Sequence, residues 1–266
     1  MADPLRHWRN FLARPNDDRV KIFGIAVLVA LASAVVVSVA AVTLKPLQEE
    51  NAQAERQARM DAMLDTLPGL RDVMTEAGVD TLETRVVDLS DGSFAPQIDA
   101  AAYDQQAAAG DPATSIALPP DVDVAGLKRR ANFAPVYLLE REGDLMLIVL
   151  PIHGSGYQST IRAYLALESD LDTIAALTIV EQAETPGLGA RIEDTAWQAL
   201  WPGKEIANAA GEIVISVVRG EASSPYEVDG ISGATRTGNG VTNMLRFWLG
   251  DHGFGPFLQR LEREGL

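Results

Sequence analysis

The sequence predicts an α+β architecture: one N-terminal transmembrane helix, then an extracytoplasmic domain whose mainly antiparallel sheet is flanked by helices. A 23-residue run without a charge near the N-terminus carries the first part of that expectation. A succession of strand-like runs separated by turns, with helical patterns expected to cover the sheet, carries the second and separates α+β from a doubly wound fold.

The uncharged run, residues 22–44, reads IFGIAVLVALASAVVVSVAAVTL and as a helix would extend roughly 35 Å, enough to cross a bilayer. Lys21 and Lys45 bound it, and Lys45-Pro46 marks its exit, because proline discourages the preceding residue from continuing a helix. The run exceeds the roughly 7 to 15 apolar residues of a cleaved signal peptide, which favours a retained anchor. Arg6, Arg9, Arg14, Arg19 and Lys21 precede it, whereas residues 48–61 are mixed in charge. The positive-inside rule therefore keeps residues 1–21 in the cytoplasm and sends everything after Lys45 outside.

Residues 45–130 read as a helical and irregular region. Within it, 49–77 favour helix, with Met60, Met63, Leu64 and Leu67 at helical spacing and a break at Pro68-Gly69. A short strand, Thr84 to Leu89, leads into the Asp91-Gly92 turn, and 93–126 read as loop and irregular helix. From residue 131 onward, strand-like runs recur at Ala134 to Leu139, Leu145 to Ile152, Ile161 to Leu167, Ile174 to Glu181 and Glu212 to Val218. Helices are expected around Thr195 to Leu200 and from Asn239 to Leu249.

Composition excludes several function classes. The chain has no cysteine, which removes iron–sulfur ligation, c-type haem attachment, disulfides and thiol catalysis together. Its three histidines, His7, His153 and His252, lie far apart, and no metal site is expected. Of 22 Lys/Arg and 37 Asp/Glu, residues 1–45 hold six and three, so the remainder carries 16 against 34. So acidic a surface repels phosphate backbones and excludes nucleic acid as a partner. Gly154 and Gly156 lack the third glycine of a dinucleotide fingerprint, and Ala234 stands where a G-x-S-x-G elbow needs glycine.

Small residues crowd Asp229-Gly230-Ile231-Ser232-Gly233-Ala234-Thr235, just ahead of the apolar pattern Val241, Leu245 and Trp248. A helix start of this kind presents unpaired N–H groups and the positive end of the helix dipole, which favour a bound phosphate, and Thr235 offers a hydroxyl for an ester to it. On physical grounds alone the same residues also fit an ordinary turn and a helix capped by Ser232 or Thr235. Upstream, Glu184-Thr185-Pro186-Gly187-Leu188-Gly189 suits a type II turn, and the missing side chains at Gly187 and Gly189 would let a planar ring approach the backbone.

Asp229 to Thr235 resembles the D-x-x-[ST]-G-A-[ST] signature of covalent FMN-binding domains, and Glu184 to Gly189 resembles a loop beside the flavin in that family. The resemblance implies FMN attached through its phosphate to Thr235, with Asp229, Ser232, Gly233 and Ala234 recognised by a separate flavin transferase. It also implies that Glu184, Thr185, Gly187, Leu188 and Gly189 lie beside the cofactor, and that the FMN-binding domain occupies 131–266. No catalytic residue is expected, since the flavin does the chemistry.

The run Leu44-Lys45-Pro46-Leu47-Gln48 and the C-terminal stretches Asn239-Gly240-Val241, Phe247-Trp248-Leu249-Gly250-Asp251 and Gly253-Phe254-Gly255-Pro256-Phe257-Leu258 are similar to the C-subunit family of sodium-translocating NADH:quinone reductases. That likeness implies an electron-transfer component of the bacterial inner membrane, with other subunits and the lipid bilayer as partners and no complete activity alone. The span 22–44 holds no ionisable residue, which argues against an ion path through this chain by itself. The flavin-bearing component of an Rnf-type ferredoxin:NAD complex is the alternative, and a nonredox anchored binding module is a further one. Tyr157 stands near where many relatives carry a tryptophan, and Arg236 or Lys204 are candidate cations for the flavin.

Overall fold

The computed structural model describes residues 13, 15, 16, 18–31, 33–35, 37, 38, 45, 83–100, 102–141 and 143–266. The chain divides into two units, Met1–Met60 and Asp61–Leu266. In the first, residues 19–31 are helical. Among the described residues no helix is long and apolar enough to cross a membrane. Residues 32, 36 and 39–44 of the expected span, and the helix expected over 49–77, lie outside the described residues.

The second unit is organised by period-2 alternation. In β4 (Phe133–Arg141), Ala134, Val136 and Leu138 are buried at every second position, as one face of a strand requires. β1 (Glu83–Asp88) lies antiparallel to β4, from Glu83↔Leu138 to Asp88↔Phe133. β5 (Asp144–Ser155), β6 (Thr160–Glu168) and β7 (Ile174–Glu181) follow, giving the order β1-β4-β5-β6-β7 with every pair antiparallel. The expected mainly antiparallel sheet is therefore present. β1 lies upstream of the expected boundary at residue 131 and pairs with β4 along the whole of its length.

Shorter elements fill in the periphery. Among them are α1 (Gln105–Gly110), capped by the Asp104 carboxylate, and the antiparallel pair β2 (Ser115–Ala117) and β3 (Arg129–Ala131). After the sheet come a 3₁₀ turn (Gly189–Glu193) and α2 (Thr195–Gln198), where Trp197 and Trp201 pack edge to face. The strand expected over Glu212 to Val218 shrinks to β8 (Ser216–Val217), paired in parallel with β9 (Glu227–Val228). Its first half is taken by local bonds instead. The Asn208 side chain accepts from the Ala210 and Glu212 amides, and the Val214 and Ile215 amides both donate to Ile206 O.

Helix α3 (Thr235–Leu249) lays Val241, Met244, Leu245 and Trp248 on the sheet in one core with Ile148, Leu150, Ile152, Ile161 and Leu165. It begins one turn before the expected Asn239. Gly238 and Gly240 in its first turns have poor helix propensity, and packing overrides that preference. A further helix, not expected from the sequence, is α4 (Gly255–Glu264), which buries Phe257, Leu258 and Leu261, with Phe94 edge-on to Phe257 at 5.4 Å.

Candidate functional site

Two turns of the same kind build the site. Thr185 C=O accepts from Leu188 N–H at 3.1 Å with Gly187 at φ +74°, the type II geometry that Pro186-Gly187 favours. Ile231 C=O accepts from Ala234 N–H at 3.0 Å with Gly233 at φ +79°, so Ser232-Gly233 turns in like manner just before α3. The two turns touch. A Cβ on Gly233 would lie 2.9 Å from Leu188 Cδ2, and one on Gly189 would lie 2.5 Å from Thr237 Oγ1 and 3.0 Å from Glu184 Cβ. Gly187 faces open space, whereas the room beside Gly189 is filled by the protein's own Thr237, so of these two glycines only Gly187 leaves its backbone open to a ring.

No side chain caps α3, and its first external bond is Gly238 N–H to Ala234 O at 3.0 Å. The amides of Thr235, Arg236 and Thr237 find no acceptor among the described residues. The reading of Ser232 or Thr235 as an ordinary cap is thereby set aside. Both residues are exposed and line an open cleft of about 700 Å³ together with Gly233, Ala234, Gly238, Asn239, Val217, Val218 and Arg219. That volume is within the range of small-molecule sites. Among the described residues Arg219 is the one charged group lining the cleft, and free amides beside a cation suit a phosphate dianion.

Glu184 does not face the cleft. It is 4% exposed, and its carboxylate accepts five hydrogen bonds: from the amides of Tyr157 (3.0 Å), Gln158 (2.9 Å) and Ser159 (3.0 Å), from Ser159 Oγ (2.9 Å) and from Thr237 Oγ1 (2.6 Å). Burial by itself pushes this carboxyl upward, but the bonds from Thr237 and the turn amides outweigh it, and the group sits below the ordinary carboxylate value. Glu184 thus supports the site from behind. Thr185 holds its turn by accepting from both the Leu188 and Ala190 amides, and Leu188 is 42% exposed beside Gly233.

Asp229 also stands back from the cleft. Its carboxylate accepts from Ala222 N–H at 2.7 Å, and its carbonyl accepts from Trp197 Nε1 at 2.9 Å. The neighbouring Gly230 admits no side chain, because a Cβ there would collide with the Val218 carbonyl. Tyr157 is 51% exposed, and the Arg236 guanidinium lies 5.1 Å from its ring centroid, so Tyr157 stands against the residue that follows Thr235 in the chain. Lys204 is not among the lining residues of the cleft. Sequence reasoning missed Arg219, whose one signal is a cation followed by glycine directly after a strand-like run, and it missed Thr237, whose partner lies 53 positions away.

The fold and the site define a flavin-binding class of protein: residues 156–250 match the FMN-binding domain family. The C-subunit of the Na(+)-translocating NADH-quinone reductase of Pseudomonas aeruginosa is 40% identical over 246 residues, covering 90% of this chain and 94% of that protein. Its counterpart in Vibrio alginolyticus is 40% identical over 256 residues, covering 96% and 99%. The crystal structure of Shewanella oneidensis NqrC superposes with a TM-score of 0.70 at 30% identity, over 80% of this chain and 100% of that one. This chain belongs to the C-subunit family of Na(+)-translocating NADH-quinone reductases.

Proposed function

We propose that this chain is the electron-relaying component of a sodium-pumping NADH:quinone oxidoreductase and carries FMN esterified through its phosphate to Thr235. The observation that carries the reading is the start of α3: an exposed threonine hydroxyl and three amides without an acceptor among the described residues open onto a cleft large enough for a flavin nucleotide. The family relationship favours this assembly over a ferredoxin:NAD complex.

The chain's residues have separable tasks. The α3 amides and Arg219 hold the phosphate, the Ser232-Gly233 turn presents Thr235, and Leu188, Tyr157 and Arg236 border the ring. FMN, when bound, supplies reversible uptake and release of electrons. Attachment needs a flavin transferase and a flavin dinucleotide as activated donor. Thr235 Oγ forms the new O–P bond, the phosphoanhydride breaks, and the hydroxyl proton leaves with the released nucleoside monophosphate. Tethering then keeps the flavin at high local concentration outside the cytoplasm. Residues 22–44 anchor the chain in the inner membrane with residues 1–21 cytoplasmic and the folded unit periplasmic, and the other subunits of the complex donate and accept the electrons.

Co-expression of the full chain with a flavin transferase, followed by a denaturing gel viewed under ultraviolet light, tests this. A fluorescent band in the parent that disappears in Thr235→Ala is the expected result. Peptide mapping that finds the flavin mass on any other residue overturns it.

A further inference from the structure

Thr235 and Thr237 stand two residues apart on α3, and each residue advances a helix by about 100°. Their side chains therefore leave the helix on nearly opposite sides. Thr237, 2% exposed, is fixed inward by its 2.6 Å bond to Glu184, and Thr235 is thereby turned outward into the cleft. The same carboxylate holds three successive amides of the β5–β6 turn, which carries Tyr157. One buried acceptor thus links the first turn of α3, the 184–189 turn and the Tyr157 turn.

We propose that Glu184 and Thr237 are positioning residues for flavin attachment: their buried hydrogen bond sets the rotation of the first α3 turn that presents the Thr235 hydroxyl to the transferase. The inference rests on Thr235 being the attachment site. It accounts for a charged acceptor where a neutral one would fail. Oε1 takes three donors and Oε2 takes two, so Glu184→Gln places an NH₂ against N–H or O–H donors whichever way the amide is turned.

The test is the initial rate of covalent FMN incorporation in the full chain, co-expressed with a flavin transferase. In-gel fluorescence is normalised to the amount of folded chain, which is measured by tryptophan emission. Thr237→Val and Glu184→Gln are expected to load about tenfold more slowly, in keeping with the loss of a buried bond to a charged group. Thr237→Ser, which keeps the hydroxyl, is expected to restore the rate. Thr242→Val is the structural control: Thr242 is equally interior to α3, accepts from Val217 N–H and donates to Gly238 O, but faces away from Glu184's bonds. Parental loading in Thr237→Val overturns the proposal, as does an equal loss in Thr242→Val or a failure of serine to rescue. A parent that takes up no flavin at Thr235 overturns the attachment reading and this inference with it, and is told apart by the parent lane alone.

Discussion

Gly240→Ala should destabilise the protein although it improves a helix. In an open helix the exchange gains about 1 kcal/mol. Here a Cβ would lie 2.6 Å from Ser155 O and 2.9 Å from Gly156 Cα, both backbone atoms at the end of β5. Ordinary contact between such atoms is about 3.5 Å, so α3 or the hairpin must shift by roughly 0.5 to 1 Å. Forcing atoms into a packed core costs about 1–3 kcal/mol, and because the atoms met here are backbone that cannot swing aside the cost lies in the upper half of that range, which leaves a net loss of about 1–2 kcal/mol after the helical gain. With a urea slope near 2 kcal/mol per molar, the unfolding midpoint should fall by about 0.5–1 M. Tryptophan fluorescence of the full chain in detergent reports it, since Trp248 lies in α3 itself. Gly110→Ala, at the last residue of α1 with no atom within 4 Å of the new Cβ, is the control and should hold or slightly raise the midpoint. A Gly240→Ala chain as stable as its parent would refute the close approach of α3 to the β5–β6 turn.

Three other outcomes follow from the electrostatics. Burial, with Arg162 nearby, lowers the His153 pKa from 6.5 to about 4, so the unfolded chain takes up its proton first. That contribution is complete above 6.5 and declines as pH falls toward 4, and His153→Gln should flatten the stability profile in that window. Glu184, lowered from 4.5, contributes above that value and loses its contribution as pH falls through the folded pKa. Glu184→Gln should therefore be less stable at neutral pH but lack this acid-dependent component, as urea titrations at several pH values would show. Arg219→Gln should slow flavin loading by roughly two- to fivefold and reduce its salt dependence, because an exposed cation beside a phosphate acts through a screened field; an unchanged salt dependence would remove Arg219 from phosphate recognition.

Much of the architecture was legible because it is periodic. The strand runs at Ala134 to Leu139, Leu145 to Ile152 and Ile161 to Leu167 each fall inside an observed strand, and Ile174 to Glu181 matches β7 end to end. Pro186-Gly187 announced its turn through a positive φ that glycine, unlike residues with a side chain, adopts without strain. What escaped was set by partners distant in sequence. Glu212 to Val218 has strand composition, yet Ile206 and Asn208 claim its backbone before a ladder can form. The early start of α3 was hidden by two glycines that weaken a helix locally and are needed where it meets Ser155 and Val217.

The residues around Thr235 show why a motif can be found by its letters and still be misjudged in its physics. Glu184 and Gly189 belong to a segment that resembles a flavin-side loop, and the natural expectation is that both face the ring. The carboxylate is instead saturated by five donors, and the space beside Gly189 holds Thr237. A buried anion close to a phosphate esterified at Thr235, as proposed, would also repel it, so its presence needs a compensating use. Holding three amides and a threonine supplies one, since those bonds disperse the negative charge and fix the turns that expose Thr235. On the proposed reading, a flavin is left to meet Gly187 and Leu188, which are open to solvent, and Ser232, Gly233 and Arg219 in the cleft, where side chains are small, apolar or cationic. Rigidity is built on one side of the first α3 turn and access on the other, and the roughly 200° between Thr235 and Thr237 is what allows a single helix start to provide both.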